Sequence, residues 1–421
     1  MAKRFLLAFS LVLVTVLVFH RAAHSWFIAD DFYYLDDVVQ RLLEPPLAIL
    51  GREWWFRMCW RPLVRLSWMV NFSLGGFDFS GYFWFNILVH SANAVLVFAL
   101  CSLLGLSLPW AWVAAFFFAV GPHKGRAVCW ITGRTEGLGL LFVLLAIVLW
   151  AHGRKTENAR LRYWSLLPLV VSFGVKEWCP FYGFLLLAMT DRYLSSRWNW
   201  RDLLLPFALC FGFLAVTAVA LEGGRFLQVG WPTARLFLSG FAQTMLPGYD
   251  YARWLLAGQI ISLIVYPLAI ASGRLGRFAV GWVVVTLIGP SLLIYFPGAL
   301  GEWKLYPAYV GAAIALVCAS GMVLRFSNRL GRGARAFRLA AIAPLLLFGL
   351  VQVLLCQRAI AGQLFPQARR ARRNVISAAE RAVRGEEVLP TPVRRLCFML
   401  TADLPARAFQ EGASSRAESA R

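Results

Sequence analysis

Two adjacent carboxylates stand in a chain that is otherwise basic and apolar. The stretch WFIADDFYYLDD, residues 26–37, carries Asp30, Asp31, Asp36 and Asp37. Trp26, Phe27 and Ile28 precede the first pair, and Phe32, Tyr33 and Tyr34 follow it. Such flanks predict a pair at an apolar–polar boundary, partly desolvated. Neighbouring carboxylates there repel, so one pKa should rise, which suits a group that accepts a proton in catalysis. Asp36 and Asp37 are less constrained and are expected to face water.

Cations follow. Arg61 precedes Pro62, which marks the start of a short helix bearing Arg65 and Asn71. Arg61 and Arg65 are i, i+4 neighbours and share one helix face. Two fixed guanidinium groups can grip a phosphate through forked hydrogen bonds, and snorkelling to lipid headgroups explains either one alone. Asn86, His90 and Asn93 recur at i, i+4, i+7 as a polar stripe, which fits helix–helix hydrogen bonding as well as a site. Arg134, Glu136, Lys176, Glu177, Glu302 and Lys304 complete the ionisable residues near the ends of apolar segments. Ionisable groups at such depth are costly and usually functional.

The elements that must position these groups follow from composition. The 421 residues are 60% hydrophobic and 15% charged, with a net charge of +21. That pattern predicts an all-α polytopic membrane protein, and the chain contains eleven apolar segments from 5–20 to 339–357. The pair 163–176 and 178–191 is interrupted by Lys176-Glu177 and reads as two helices or as one. Charge decides for eleven. With the N-terminus inside, the inner segments hold sixteen Lys/Arg against three acids, and the outer loops before the tail hold fourteen against twelve. The same assignment puts the first loop, 21–82, on the outer face with short amphipathic helices in it. It also puts the tail from 358 outside, where ARRARRNVISAAERAVR reads either as a basic amphipathic helix on anionic headgroups or as a solvated one. The eight cysteines show no zinc spacing, and the basic balance reflects topology, so nucleic acid is not an expected partner.

Six motifs occur in order: DDF, WRPL…S…N, FN..VHSAN, AVCWITGRTEGL, GVKEWCPF and GEWKLYP. Together they resemble the polytopic glycosyltransferases of GT-C type, and among them the transmembrane O-mannosyltransferases that carry tetratricopeptide repeats, with their bacterial relatives; the repeats are lacking here. The apolar segments and their charge bias divide the chain into a membrane domain over 1–357 and a basic, partly helical periplasmic tail over 358–421. The resemblance implies a fold of about eleven helices with a catalytic Asp in the long first outer loop. It implies an inverting sugar transfer from a polyprenyl-phosphate donor, with Asp30 as base and Asp31 as its catalytic partner. Arg61, Arg65, His90, Arg134, Glu136, Lys176, Glu177, Glu302 and Lys304 would line the donor phosphate and sugar. Departures are visible: GPHKGRAV at 121–128 replaces HPxHxEAV, and EWKLYPA replaces ERYLYLP.

The expected function is therefore transfer of a sugar to a protein, glycan or lipid acceptor on the periplasmic side of a bacterial inner membrane, with the N-terminus cytoplasmic. A divalent cation is a candidate cofactor, although no ligand spacing demands a metal. The competing reading is a non-catalytic relative, or a lipid-glycan binding or translocation protein.

Overall fold

The computed structural model describes residues 2–41, 55–56, 59–121, 124–220, 231–245, 253–292, 302–329, 334–361 and 365–383. Among them the chain is helical but for a two-residue strand pair, Trp55–Phe56 against Cys59–Trp60. The helices are α1 (Ala2–Phe19), α2 (Asp31–Arg41), α3 (Pro62–Gly75), α4 (Phe79–Leu103), α5 (Leu108–Val120), α6 (Lys124–Cys129) and α7 (Arg134–Lys155). They continue with α8 (Ala159–Trp164), α9 (Leu166–Phe173), α10 (Cys179–Ser195), α11 (Trp200–Ala220), α12 (Trp231–Gln243) and α13 (Arg253–Ala271). The last are α14 (Arg274–Leu292), α15 (Ala308–Arg329), α16 (Ala334–Ala359) and α17 (Phe365–Val383).

Five stretches among the described residues are long and apolar enough to cross a membrane: 2–24, 79–103, 131–155, 200–217 and 308–326. Three shorter apolar helices lie at Leu108–Val120, Leu256–Ala271 and Leu346–Arg358. The interrupted pair folds as two helices, α9 and α10. Gly174 ends the first, and Pro180 sits in the first turn of the second, where its missing N–H costs nothing. With eight residues, α9 is about 12 Å long, well short of a bilayer core.

Packing among these helices depends on close backbone approach. A Cβ on Gly139 of α7 would lie 2.8 Å from Cys179 Sγ of α10, and one on Gly311 of α15 would lie 2.6 Å from the Ala279 carbonyl of α14. Only glycine admits those contacts, in keeping with small residues at membrane helix interfaces. Helix α4 is the central element, packed on α1, α5 and α7. At the C-terminal end of α7, the fully buried Asp191 takes hydrogen bonds from Trp150 Nε1 at 2.9 Å and from Arg154. Arg154 also reaches Asp202 at 2.6 Å, which clamps α7, α10 and α11 together away from the candidate site.

Candidate functional site

The site lies at the opposite end of α7. The chain enters it through Ala29, whose φ of 49° is left-handed and unfavourable for a residue with a Cβ. The next turn is held by Asp31. Its carboxylate takes the Ile28 N–H at 2.9 Å, the Thr132 N–H at 2.8 Å and the Thr132 hydroxyl at 2.7 Å. The bond to Ile28 ties the first residue of α2 back across the turn at Ala29. The two bonds to Thr132 fasten α2 to the residues that open α7. Asp31 is fully buried. Burial raises its pKa, the bonds from Ile28 and Thr132 and the charge of Arg134 oppose the rise, and the carboxyl ends at about 7.

Asp30 is exposed. The aromatic flanks predicted that both carboxylates would be partly desolvated, and the structure separates them. Residues one apart on a helical turn point about 100° away from each other. Asp31 therefore turns in toward Thr132 while Asp30 turns out. Asp37 also departs from expectation: it pairs with Arg65 at 3.1 Å in place of facing water.

Arg61 and Arg65 do not form a two-armed grip. Arg61 donates from Nε at 3.0 Å and from Nη2 at 2.6 Å to the two oxygens of Glu177. Its position follows from a backbone contact, because the Leu63 N–H, an orphan donor at the start of α3, bonds the Gly174 carbonyl at 3.0 Å. That bond sets the α3 entrance against the α9–α10 break. Burial raises the Glu177 pKa, the Arg61 guanidinium and Lys176 lower it more, and it settles at about 2.

Arg134 is 1% exposed, and both Nη groups donate within the protein while its buried Nε has no hydrogen-bond partner among the described residues. It donates to Ser67 at 3.1 Å, Asn71 at 2.8 Å and the Tyr82 carbonyl at 3.3 Å. Its guanidinium lies 4.9 Å from the Trp68 ring and 4.8 Å from Phe85, within cation–π range. A guanidinium so enclosed is a joint between α3, α4 and α7, where a phosphate-facing cation was expected. The same holds for His90. Its Nε2 must donate to the Ala119 carbonyl at 2.9 Å, so Nδ1 accepts from the Tyr306 hydroxyl at 2.6 Å. Asn93 donates to Tyr306 at 3.2 Å and to the Gly137 carbonyl at 2.9 Å. Asn86 holds the Trp130 carbonyl at 3.1 Å and the Val128 carbonyl at 3.2 Å. The polar stripe is thus the seam that joins α4 to α5, to the opening of α7 and to the 302–305 turn.

Five charged residues converge beside that seam. Lys176 pairs with Glu136, which is in the first turn of α7, and Arg61 pairs with Glu177. Lys304 feels the charge of all four and is half-buried. It has no hydrogen bond or ion pair among the described residues. Burial lowers its pKa, and Lys176 lowers it further. The Glu302 side chain lies outside the described residues, as do Pro122 and His123 of the GPHKGRAV motif. Among the described residues no three His, Cys, Asp or Glu side chains gather to hold a metal ion. Thr132 and Tyr306 were missed by sequence reasoning. Thr132 lies inside the AVCWITGRTEGL motif and Tyr306 inside GEWKLYP, but neither residue type signals a role by itself.

No family model matches the chain. Over 105 residues, 25% of this chain, it is 35% identical to the protein O-mannosyl-transferase tmtc2 of Xenopus laevis, covering 13% of that protein. Over 275 residues, 58% of this chain, it is 27% identical to the human protein O-mannosyl-transferase TMTC4, covering 36% of it. The chain resembles the protein O-mannosyltransferases. It spans little more than a third, at most, of the length of these two relatives. The fold is also that of ArnT from Cupriavidus metallidurans in the apo state, with a TM-score of 0.52 at 12% identity over 90% of this chain and 80% of that one. The all-α, GT-C type architecture is shown by that likeness.

Proposed function

We propose that this protein is a glycosyltransferase, hexosyl- or mannosyltransferase-like, that moves a sugar from a polyprenyl-phosphate donor to an acceptor hydroxyl with inversion. The observation that carries the reading is the division between two adjacent carboxylates. Asp31 is enclosed and bonded to Ile28 and Thr132, while Asp30, one residue away on the same anchored turn, is exposed. An exposed carboxylate on a rigidly tethered turn suits a base that must meet an incoming acceptor. The O-mannosyltransferase relatives and the GT-C fold support the reaction class.

In this reading the acceptor oxygen attacks the anomeric carbon opposite the phosphate while Asp30 takes its proton. The bond from that carbon to the phosphate oxygen breaks, and its electron pair leaves on the phosphate. Lys304 faces the developing charge, as the one cation of the five-residue cluster without an ion-pair partner among the described residues. The cluster holds three cations (Arg61, Lys176, Lys304) and two carboxylates (Glu136, Glu177), a surplus of one positive charge, and such preorganised charge lowers the barrier to phosphate departure. Arg61 and Lys176 hold the carboxylates in place, and Arg134 and His90 brace the helices that carry them. Asp30→Asn should abolish transfer in membranes while expression and donor binding stay near wild type. Unchanged product from that variant sinks the assignment.

The second reading, a relative that binds a lipid-linked glycan without transferring it, is favoured by the internal pairing of Arg61 and Lys176. It predicts that Asp30→Asn leaves the cellular phenotype intact. For orientation we propose a bacterial inner membrane, with the N-terminus cytoplasmic, the site periplasmic and the tail periplasmic. A reporter fused after Arg338 should read cytoplasmic and one at the C-terminus periplasmic, and the opposite pair refutes it.

A further inference from the structure

Helix α17 presents an arginine-rich face with no ion-pair partner among the described residues. Its apolar residues recur every three to four positions and turn toward the bundle: Ala368 is buried, and Phe365, Ala371 and Val375 pack against the core. Arg369, Arg370, Arg372 and Arg373 are all exposed. At 100° per residue, Arg369, Arg370 and Arg373 fall on the side away from that apolar stripe. None of the four has an ion-pair partner among the described residues. The helix begins seven residues after Arg358, which closes the apolar stretch Leu346–Arg358 of α16. It therefore starts at the edge of the hydrocarbon zone, whichever leaflet that is.

We infer that this face of α17 is a docking surface for the anionic phospholipid headgroups of the surrounding membrane. Charge complementarity selects the occupant. The four guanidinium groups lie within five residues of one another, about eleven to fifteen positions after Arg358, and present forked donors that match phosphate oxygens. The apolar stripe packs on the bundle through Phe365, Ala368, Ala371 and Val375, so the helix is held there and attracts lipid through charge. Each basic residue near such a surface contributes about a fivefold preference for anionic over zwitterionic lipid at moderate salt. The inference does not depend on the catalytic reading.

The test uses the full chain in nanodiscs of phosphatidylcholine alone and of phosphatidylcholine with about one third phosphatidylglycerol, a content chosen to give a strong surface potential. Hydrogen exchange across residues 365–383 is the readout. The expected result is exchange slowed severalfold with phosphatidylglycerol, restored by 0.5 M salt (about a 4 Å Debye length), and no slowing when all four arginines become glutamine. A fourfold Arg→Lys variant should retain the slowing, which separates charge from helix stability. Equal exchange in the two lipids overturns the inference and leaves a solvated helix, and so does slowing that survives the fourfold Arg→Gln change.

Discussion

Asp31 offers a sharp test of the site, because its burial and its bonds pull its ionisation in opposite directions. Its carboxyl rises from an ordinary 3.8 to about 7 in the folded protein. A raised acid binds its proton more tightly folded than unfolded, so its stabilisation is full below about pH 4 and is lost as pH climbs through 7. Between pH 5 and pH 8 that loss comes to about 3 kcal/mol, as an order of magnitude. Asp31→Asn removes the titration. Its amide can accept with one oxygen only, so the Ile28 or the Thr132 N–H is left buried and unpaired, at a cost of about 1–3 kcal/mol at every pH. The two effects cross. At pH 5 the variant should be clearly less stable than wild type, and by pH 8 the gap should close or reverse. Thermal unfolding of both proteins in one detergent, compared pH by pH, cancels every other titrating group. A wild-type-minus-variant difference that stays flat from pH 5 to pH 8 refutes the account of Asp31. Because Asp31 is proposed to position and not to react, its variant should also retain transfer that Asp30→Asn loses.

Further outcomes follow from the same geometry. Lys304→Gln should raise KM for the lipid-phosphate donor by ten- to a hundredfold, the equivalent of one charge-assisted hydrogen bond at about 1.5–3 kcal/mol, and an unchanged KM removes Lys304 from the phosphate site. Arg134→Gln should lower stability by about 3 kcal/mol or more, since it strands Asn71, Ser67 and the Tyr82 carbonyl and leaves space between Trp68 and Phe85. Arg134→Lys should rescue little of that, because an ammonium lacks the fork. A wild-type melting temperature for either variant contradicts the structural role given to Arg134.

Much of the site was legible in the chain, though not the partner of each group. The polar stripe Asn86, His90 and Asn93 could be read as facing other helices, and it does, but the carbonyls and hydroxyl it meets come from segments 29 to over 200 residues away. The break at Lys176-Glu177 was visible as two charges in an apolar run. What it touches was not, because the bond from Leu63 to Gly174 that brings Arg61 to Glu177 uses only backbone atoms, and these carry no side-chain signature. Arg61 and Arg65 shared a predicted helix face, yet separate carboxylates draw them apart.

Composition and period alone determined that this chain is a helical membrane protein with its candidate charges gathered at the ends of apolar segments. Burying a peptide backbone in lipid leaves few alternatives to the helix, and charge is expensive there. Tertiary structure alone decided which carboxylate is enclosed and which is open. Asp30 and Asp31 are the same residue type in the same motif, and only the position of Thr132, a hundred residues on, encloses one and leaves the other open. Ionisation and access depend on what surrounds a group in space, and sequence order does not state that.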